Sequence, residues 1–316
     1  LCGDYPKLGP GEPKMTELIG GAELSCLPRL LRDRGFSTVY LQAAPMAFMM
    51  KDQFMPLAGF EVAVGETYFD RSYRRNHWGV DDRAFFEQSL AMIERLERQP
   101  KPWFLTLLTV GTHHPFNVPE DYECGLEPGS VAWAMDYLDH SVADFVRTIE
   151  ATGLLADTLV LITSDESREQ RPRLGDAASV VAQAWGFLVA LAPSGDTAII
   201  DEPFMQRDLP LSILDHLGFE GDSVQMGGRS VFRDYVDDRD VLWGNAHFRR
   251  VAGVSAGGDL AVCDWSLTSC VGATLGDRPL FSPAIAFERI EPVDVGWLRE
   301  GVEASVAAVT TTGRTR

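Results

Sequence analysis

No apolar run in this 316-residue chain reaches the length of about 18 residues that a bilayer-spanning helix needs. The apolar stretches at 103–110 and 185–192 read instead as buried strands. Basic residues are scarce: 28 Lys and Arg stand against 46 Asp and Glu, a formal net charge of −18. That balance argues against a nucleic-acid partner, which needs a basic footprint. It also disfavours adsorption of this domain to anionic lipid heads. A phosphate site on such a surface has to create its own positive charge, and a bound metal is the economical way. There is no C-x-x-C pair, which disfavours a zinc knuckle. Repeats and low-complexity linkers are lacking too. The chain opens on Leu1 rather than Met, with no basic and apolar leader pattern, so a trimmed or processed chain is expected.

With 45% apolar and 10% aromatic residues, the chain can bury a substantial core as one large domain, with or without a small appendage. The five cysteines are Cys2, Cys26, Cys124, Cys263 and Cys270. Cys263 and Cys270 flank a short loop after a predicted hairpin, which suits a local disulfide, and Cys2 with Cys26 is a second possible pair. Five ordinary buried thiols are the competing reading.

From residue 24 to about 218, helix and strand signals alternate. Ser25 and Pro28 open a helix that stops at Gly35, and 37–42 is a β-branched and aromatic strand. Asp82 can cap a helix to Arg98 with Phe86, Leu90, Ile93 and Leu96 on one face. The strand 103–109 follows, then a helix over 131–152 with Met135, Leu138, Val142, Phe145 and Ile149 in register. The stretches 158–163 and 186–192 read as strands buried on both faces of a parallel sheet. A short helix over 209–217 closes at Gly218. This alternation predicts an α/β sheet with helices on both faces. Beyond about 236 the texture changes to a hairpin, 251–255 with 259–263, then a final helix near 295–306 and a frayed tail at 310–316.

Two constellations can carry chemistry. In Leu159-Val-Leu-Ile-Thr-Ser-Asp-Glu-Ser167 a strand runs into Asp165 and Glu166, hard oxygen donors suited to Mg²⁺ or Mn²⁺. A polar turn capping the next segment is the plainer reading. In Thr109-Val-Gly-Thr-His-His-Pro-Phe116 another strand ends in His113 and His114, able to donate to a phosphoryl oxygen, act as general acid or ligate metal. Alternatively they only satisfy loop carbonyls. Open α/β sheets hold ligands at strand carboxyl ends, so these residues are expected to converge. Trp78-Gly-Val-Asp-Asp-Arg-Ala-Phe-Phe86 by itself is a capped helix start.

Taken together in order and spacing, several segments resemble the lipoteichoic acid synthases, phosphoglycerol transferases of the sulfatase and alkaline phosphatase superfamily. They are Gly35-Phe-Ser-Thr-Val-Tyr40, Gly59-Phe-Glu61, the Trp78–Phe86 segment continuing to Ser89, and Thr112-His-His-Pro-Phe116. Gly153-Leu-Leu-Ala-Asp-Thr-Leu-Val-Leu-Ile-Thr-Ser-Asp165, Asp201-Glu-Pro-Phe204, the run from Asp208 to Gly218, and Gly228-Arg-Ser230 continue the pattern. The resemblance covers residues 1–235 as a catalytic domain and leaves 236–316 as a hairpin and helix subdomain.

The resemblance implies an α/β sandwich with a mostly parallel central sheet and metal-dependent transfer of a phosphoglycerol group from a lipid headgroup to a glycan or polymer hydroxyl. It implies a threonine nucleophile, a divalent cation (Mn²⁺ or Mg²⁺), and a monomer at the periplasmic or extracellular face of the cytoplasmic membrane. By position, Asp165 matches the family's metal-binding aspartate, Glu166 its neighbouring histidine, and His113 the histidine that contacts the phosphate. His114 and Trp78 line the substrate side. Where the family holds the headgroup with an aromatic and an arginine, this chain has Phe48, Met50 and Lys51. The nucleophile and first acidic ligand, with a membrane-spanning region, are expected upstream of Leu1. A sulfatase would need Cys-x-Pro-x-Arg, which Cys26-Leu-Pro-Arg-Leu30 narrowly misses. A phosphodiester hydrolase, or a non-catalytic remnant that binds glycan or a lipid headgroup, would also be compatible with these residues.

Overall fold

The helix–strand alternation after residue 26 is realised element by element. The computed structural model describes residues 1–2, 26–70, 75–76, 78–165, 182, 184–200, 202–219, 226–245, 249–275, 287–290 and 294–312. They form two compact units, Ser25–Thr158 and Leu159–Arg316, the latter grouped with Leu1–Leu24. The change of sequence texture at 235/236 therefore falls inside the second unit.

In the first unit, helix α1 (Leu27–Asp33) carries Pro28 in its first turn, which its fixed φ suits, and the chain turns out at Gly35 with φ +89°. Strand β1 (Ser37–Gln42) is buried along its whole length because it is central. It pairs in parallel with β2 (Val62–Val64) on one side and β5 (Trp103–Leu108) on the other. Its buried polar groups are satisfied: Thr38 Oγ1 donates to the Gly59 carbonyl at 3.0 Å, and Tyr40 OH to Gln42 Oε1 at 2.8 Å. Between β1 and β2 lies helix α2 (Lys51–Ala58), which ends at Gly59 with φ +110°.

A small antiparallel pair, β3 (Arg75–Asn76) with β4 (Gly79–Val80), precedes α3 (Asp82–Glu97). The expected cap is displaced by one residue. Asp81, not Asp82, is the N-cap and accepts the Ala84 amide at 3.1 Å. Helix α4 (Val131–Ala151) starts at Ser130, which accepts the Trp133 amide. Its buried face runs through Trp133, Tyr137 and Ser141, whereas Met135, expected inside, is exposed.

Alternation along β1 sends Val39 and Leu41 to one side, where they pack with Phe85 and Phe86 of α3 and Leu138, Val142 and Phe145 of α4. Tyr40 faces the other side with Met55 of α2, Phe60 and Phe104. Helices cover both faces of the parallel sheet. Phe85 is fully buried, and truncating it to Ala costs about 3–5 kcal/mol.

In the second unit, β6 (Val160–Thr163) pairs antiparallel with β7 (Leu188–Leu191), and both are only partly buried. This corrects the expectation that they lie in a parallel sheet. An apolar run announces a strand but carries no information on the direction of its partner. Helix α5 (Leu209–His216) follows Asp208, whose buried carboxylate receives Arg239 and the Met205 and Arg229 amides.

Strands β8 (Val241–Asn245), β9 (Arg250–Val254), β10 (Asp259–Asp264), β11 (Cys270–Leu275) and β12 (Phe287–Ile290) form an antiparallel meander in that order. The predicted hairpin is β9–β10. Cys263 and Cys270 sit opposite each other in register and are joined by a disulfide. Cys2 and Cys26 are disulfide-bonded as well, and Cys124 is free. Helix α6 (Gly296–Thr312) places Leu298 against Leu242, Val251 and Ala261. It continues through 310–312, which were expected to fray; 313–316 lie outside the described residues. Among the described residues no helix is long and apolar enough to cross a membrane.

Candidate functional site

Three segments of the first unit meet beyond the carboxyl ends of β1 and β5. The stretch after β1 makes a short 3₁₀ turn, Phe48–Met50, in which Met49 and Met50 have φ of 54° and 58°. Left-handed backbone at a non-glycine residue costs roughly 1–2 kcal/mol, and it leaves Phe48 and Met49 exposed. The Lys51 ammonium lies 5.9 Å from the centre of the Phe48 ring.

The second segment is the approach to α3. Gly79 runs so close to Ala43 that a Cβ would overlap the Ala43 carbonyl, and Val80 donates its amide to that carbonyl at 3.0 Å. Trp78 is thereby set beside the third segment, the loop after β5. Its indole Nε1–H donates to the His114 carbonyl at 2.6 Å, and its ring centre lies 3.9 Å from that of His113. Phe48 meets the Trp78 ring edge-on at 5.4 Å.

The loop itself is a succession of turns. The His113 amide donates to the Val110 carbonyl at 3.2 Å and the Phe116 amide to the His113 carbonyl at 2.9 Å. His113 Nδ1 lies 3.1 Å from the His114 carbonyl. A carbonyl only accepts, so Nδ1 carries the proton and Nε2 is the nitrogen left to meet a ligand. On an exposed imidazole, that nitrogen can accept a proton when neutral or donate to a phosphoryl oxygen when protonated.

Behind the loop stands a group that the sequence suggested only as a helix cap. Asp82 is fully buried, and its Oδ1 accepts the Gly111 amide at 3.2 Å. Its Oδ2 has no hydrogen-bond partner among the described residues. Burial pushes this carboxyl up to about 7, opposed by the Gly111 amide, reinforced by the Asp81 charge and opposed again by the Val110 amide. Asp81 is itself held by Tyr137, whose hydroxyl donates to it at 2.6 Å. The available signal was two adjacent aspartates where a helix start needs one.

His113, His114 and Trp78 are thus brought together. Asp165 belongs to the second unit, exposed just past β6, where the Gln206 side-chain amide donates to the Ser164 carbonyl at 2.9 Å and also to that of Asp165. Glu166 lies outside the described residues. An exposed carboxylate at a strand end has the hard oxygen donors that Mg²⁺ or Mn²⁺ prefers. Among the described residues, no three His, Cys, Asp or Glu side chains come together to complete a metal site.

A family model described as Sulfatase matches residues 7–218. Phosphoglycerol transferase I of Xanthomonas axonopodis pv. citri (strain 306) is 28% identical over 177 residues, 52% of this chain and 25% of the relative. Its namesake from Salmonella paratyphi B (strain ATCC BAA-1250 / SPB7) is 28% identical over 151 residues, 44% of this chain and 20% of the relative. The chain spans a quarter or less of the length of these relatives. Among solved structures, an alkaline phosphatase superfamily protein from Vibrio parahaemolyticus matches with TM-score 0.76 at 16% identity, covering 98% of this chain and 72% of that one. The lipoteichoic acid synthase LtaP from Listeria monocytogenes matches with TM-score 0.73 at 14% identity, covering 99% and 77%. With that α/β fold and with more than half its length matched by the family model, the chain belongs to the sulfatase family.

Proposed function

We propose that the protein takes part in metal-dependent transfer of a phosphoglycerol, or closely related phospho group, from a lipid headgroup to a hydroxyl of a glycan or polymer. The observation that carries this reading is His113, exposed and held by the Trp78 ring and the His114 carbonyl, with Nε2 the nitrogen left for a ligand. In this reading that nitrogen donates to the phosphoryl oxygen and serves as acid–base group, while the aromatic edge of Phe48 and Trp78 with Lys51 receives the glycerol end. His114 contributes its carbonyl to the loop and its ring to the substrate side. Asp165 and Glu166 would hold Mn²⁺ or Mg²⁺, which supplies charge screening for the phosphoryl oxygens when bound. The work belongs at the periplasmic or extracellular face of the cytoplasmic membrane, with residues 1–235 as the catalytic domain. The family membership and the phosphoglycerol transferases among the relatives support it.

Sulfatase chemistry is disfavoured because Cys26, the cysteine of the near-miss motif, is buried and disulfide-bonded. The test uses the full-length protein, phosphatidylglycerol vesicles, Mn²⁺ and an oligosaccharide acceptor. Diacylglycerol release with glycerophosphate on the acceptor is expected, lost in Asp165→Ala and His113→Ala. No release from the wild type, or undiminished release from Asp165→Ala, overturns the reading.

A further inference from the structure

We propose that Asp82 is a positioning residue for His113: its buried carboxylate anchors one end of the histidine loop, as Trp78 on the same segment anchors the other. The inference rests on the phosphoglycerol reading only for the ligand used to test it.

Helix capping does not account for Asp82, because Asp81 already accepts the amide that a cap satisfies. A buried carboxyl with one oxygen left without a partner among the described residues is costly, and an apolar residue would suit the first turn of α3 better. What Asp82 does hold is Gly111, the residue that opens the turn leading to His113. A Cβ at Gly111 would overlap the Asp82 carboxylate, so the approach admits only glycine there. From that anchored peptide, the Val110 carbonyl takes the His113 amide and the His113 carbonyl takes the Phe116 amide. At the far end, Trp78 grips the His114 carbonyl at 2.6 Å. Trp78 lies four residues before Asp82, the first residue of α3, so both anchors belong to one short segment and His113 sits between the two loop positions they hold. An exposed imidazole on a loop loses affinity and orientation unless the loop is fixed, which is what a buried second contact provides.

The experiment compares Asp82→Leu and Asp82→Asn, each alone and with His113→Ala, in the full chain. Affinity for sn-glycerol phosphate is read by NMR titration together with the His113 ring resonances, and thermal unfolding controls for the fold. Asp82→Leu should lose about tenfold in affinity and shift the His113 resonances. Asp82→Asn, which keeps an acceptor for Gly111, should stay within about twofold. In the His113→Ala background, Asp82→Leu should cost nothing further. Equal binding by Asp82→Leu and wild type, or an equal loss in both backgrounds, overturns the proposal. If the wild type does not bind glycerol phosphate, the functional reading fails, but unmoved His113 resonances in Asp82→Leu still decide against the anchor. Should Asp82→Leu fail to fold, Gly111→Ala decides, because its Cβ would overlap the Asp82 carboxylate and disturb the anchor. It should shift the His113 resonances; unmoved resonances overturn the proposal.

Discussion

The indole N–H of Trp78 donates to the His114 carbonyl over 2.6 Å while the same ring lies 3.9 Å from that of His113. One side chain therefore fixes the backbone of one histidine and the ring of its neighbour.

These two roles separate by mutation. Trp78→Phe keeps an aromatic ring and removes the donor, so glycerol phosphate binding should weaken about fivefold, the value of one hydrogen bond of about 1 kcal/mol. Trp78→Ala removes both and should weaken binding further. Calorimetric titration of the two variants checks the order; equal losses would mean that the ring contributes nothing.

Asp165 stands exposed at the end of β6. If it is a metal ligand, Asp165→Ala should weaken Mn²⁺ binding by roughly tenfold or more, with little change in unfolding temperature. Electron paramagnetic resonance of free Mn²⁺ measures this without any turnover. Unchanged binding would place the cation elsewhere.

The Asp82 carboxyl is pushed up to about 7 from an ordinary 3.8, chiefly by burial. The folded chain then keeps a proton that the unfolded chain releases between those values. Stability must fall as pH rises through that window and level off above it. Asp82→Asn has no such proton, so its stability relative to wild type should be greater at pH 8 than at pH 5. Urea unfolding at the two pH values reads the difference, and a constant gap would exclude Asp82 as its source.

The Cys263–Cys270 bridge closes a loop of seven residues' separation between β10 and β11. Its removal by Cys263→Ser with Cys270→Ser should destabilise the second unit by about 2–3 kcal/mol. Thiol titration of the denatured, unreduced chain should find Cys124 alone. Five reactive thiols would contradict the bridge.

Much of this was written locally in the chain. The β-branched run at 37–42, the apolar spacing of α3 and α4, Gly35 and Gly218 as stops, and the hairpin around 256–258 each follow from short-range sterics and periodicity. His113 and His114 were legible as residue types with suitable chemistry after a strand end, whereas Trp78 entered the site only through the family resemblance. Cys263 and Cys270 were legible as a pair because a hairpin delivers them to one another within a few residues.

Tertiary structure decided the rest, because partners distant in sequence chose among options that local rules leave equal. Asp81 and Asp82 are equally good caps by residue type. Asp81 took that role, held by Tyr137 from α4, and Asp82 was buried against Gly111, 29 residues away. The same holds for β6, whose apolar run fits any buried or half-buried strand until Leu188–Leu191 pairs with it antiparallel. Met135 keeps the helical spacing of a core residue, yet α4 is rotated so that Trp133 and Tyr137 are buried and Met135 faces water. Periodicity defines a helix and its apolar stripe, but the packing partner selects which edge of that stripe is sealed.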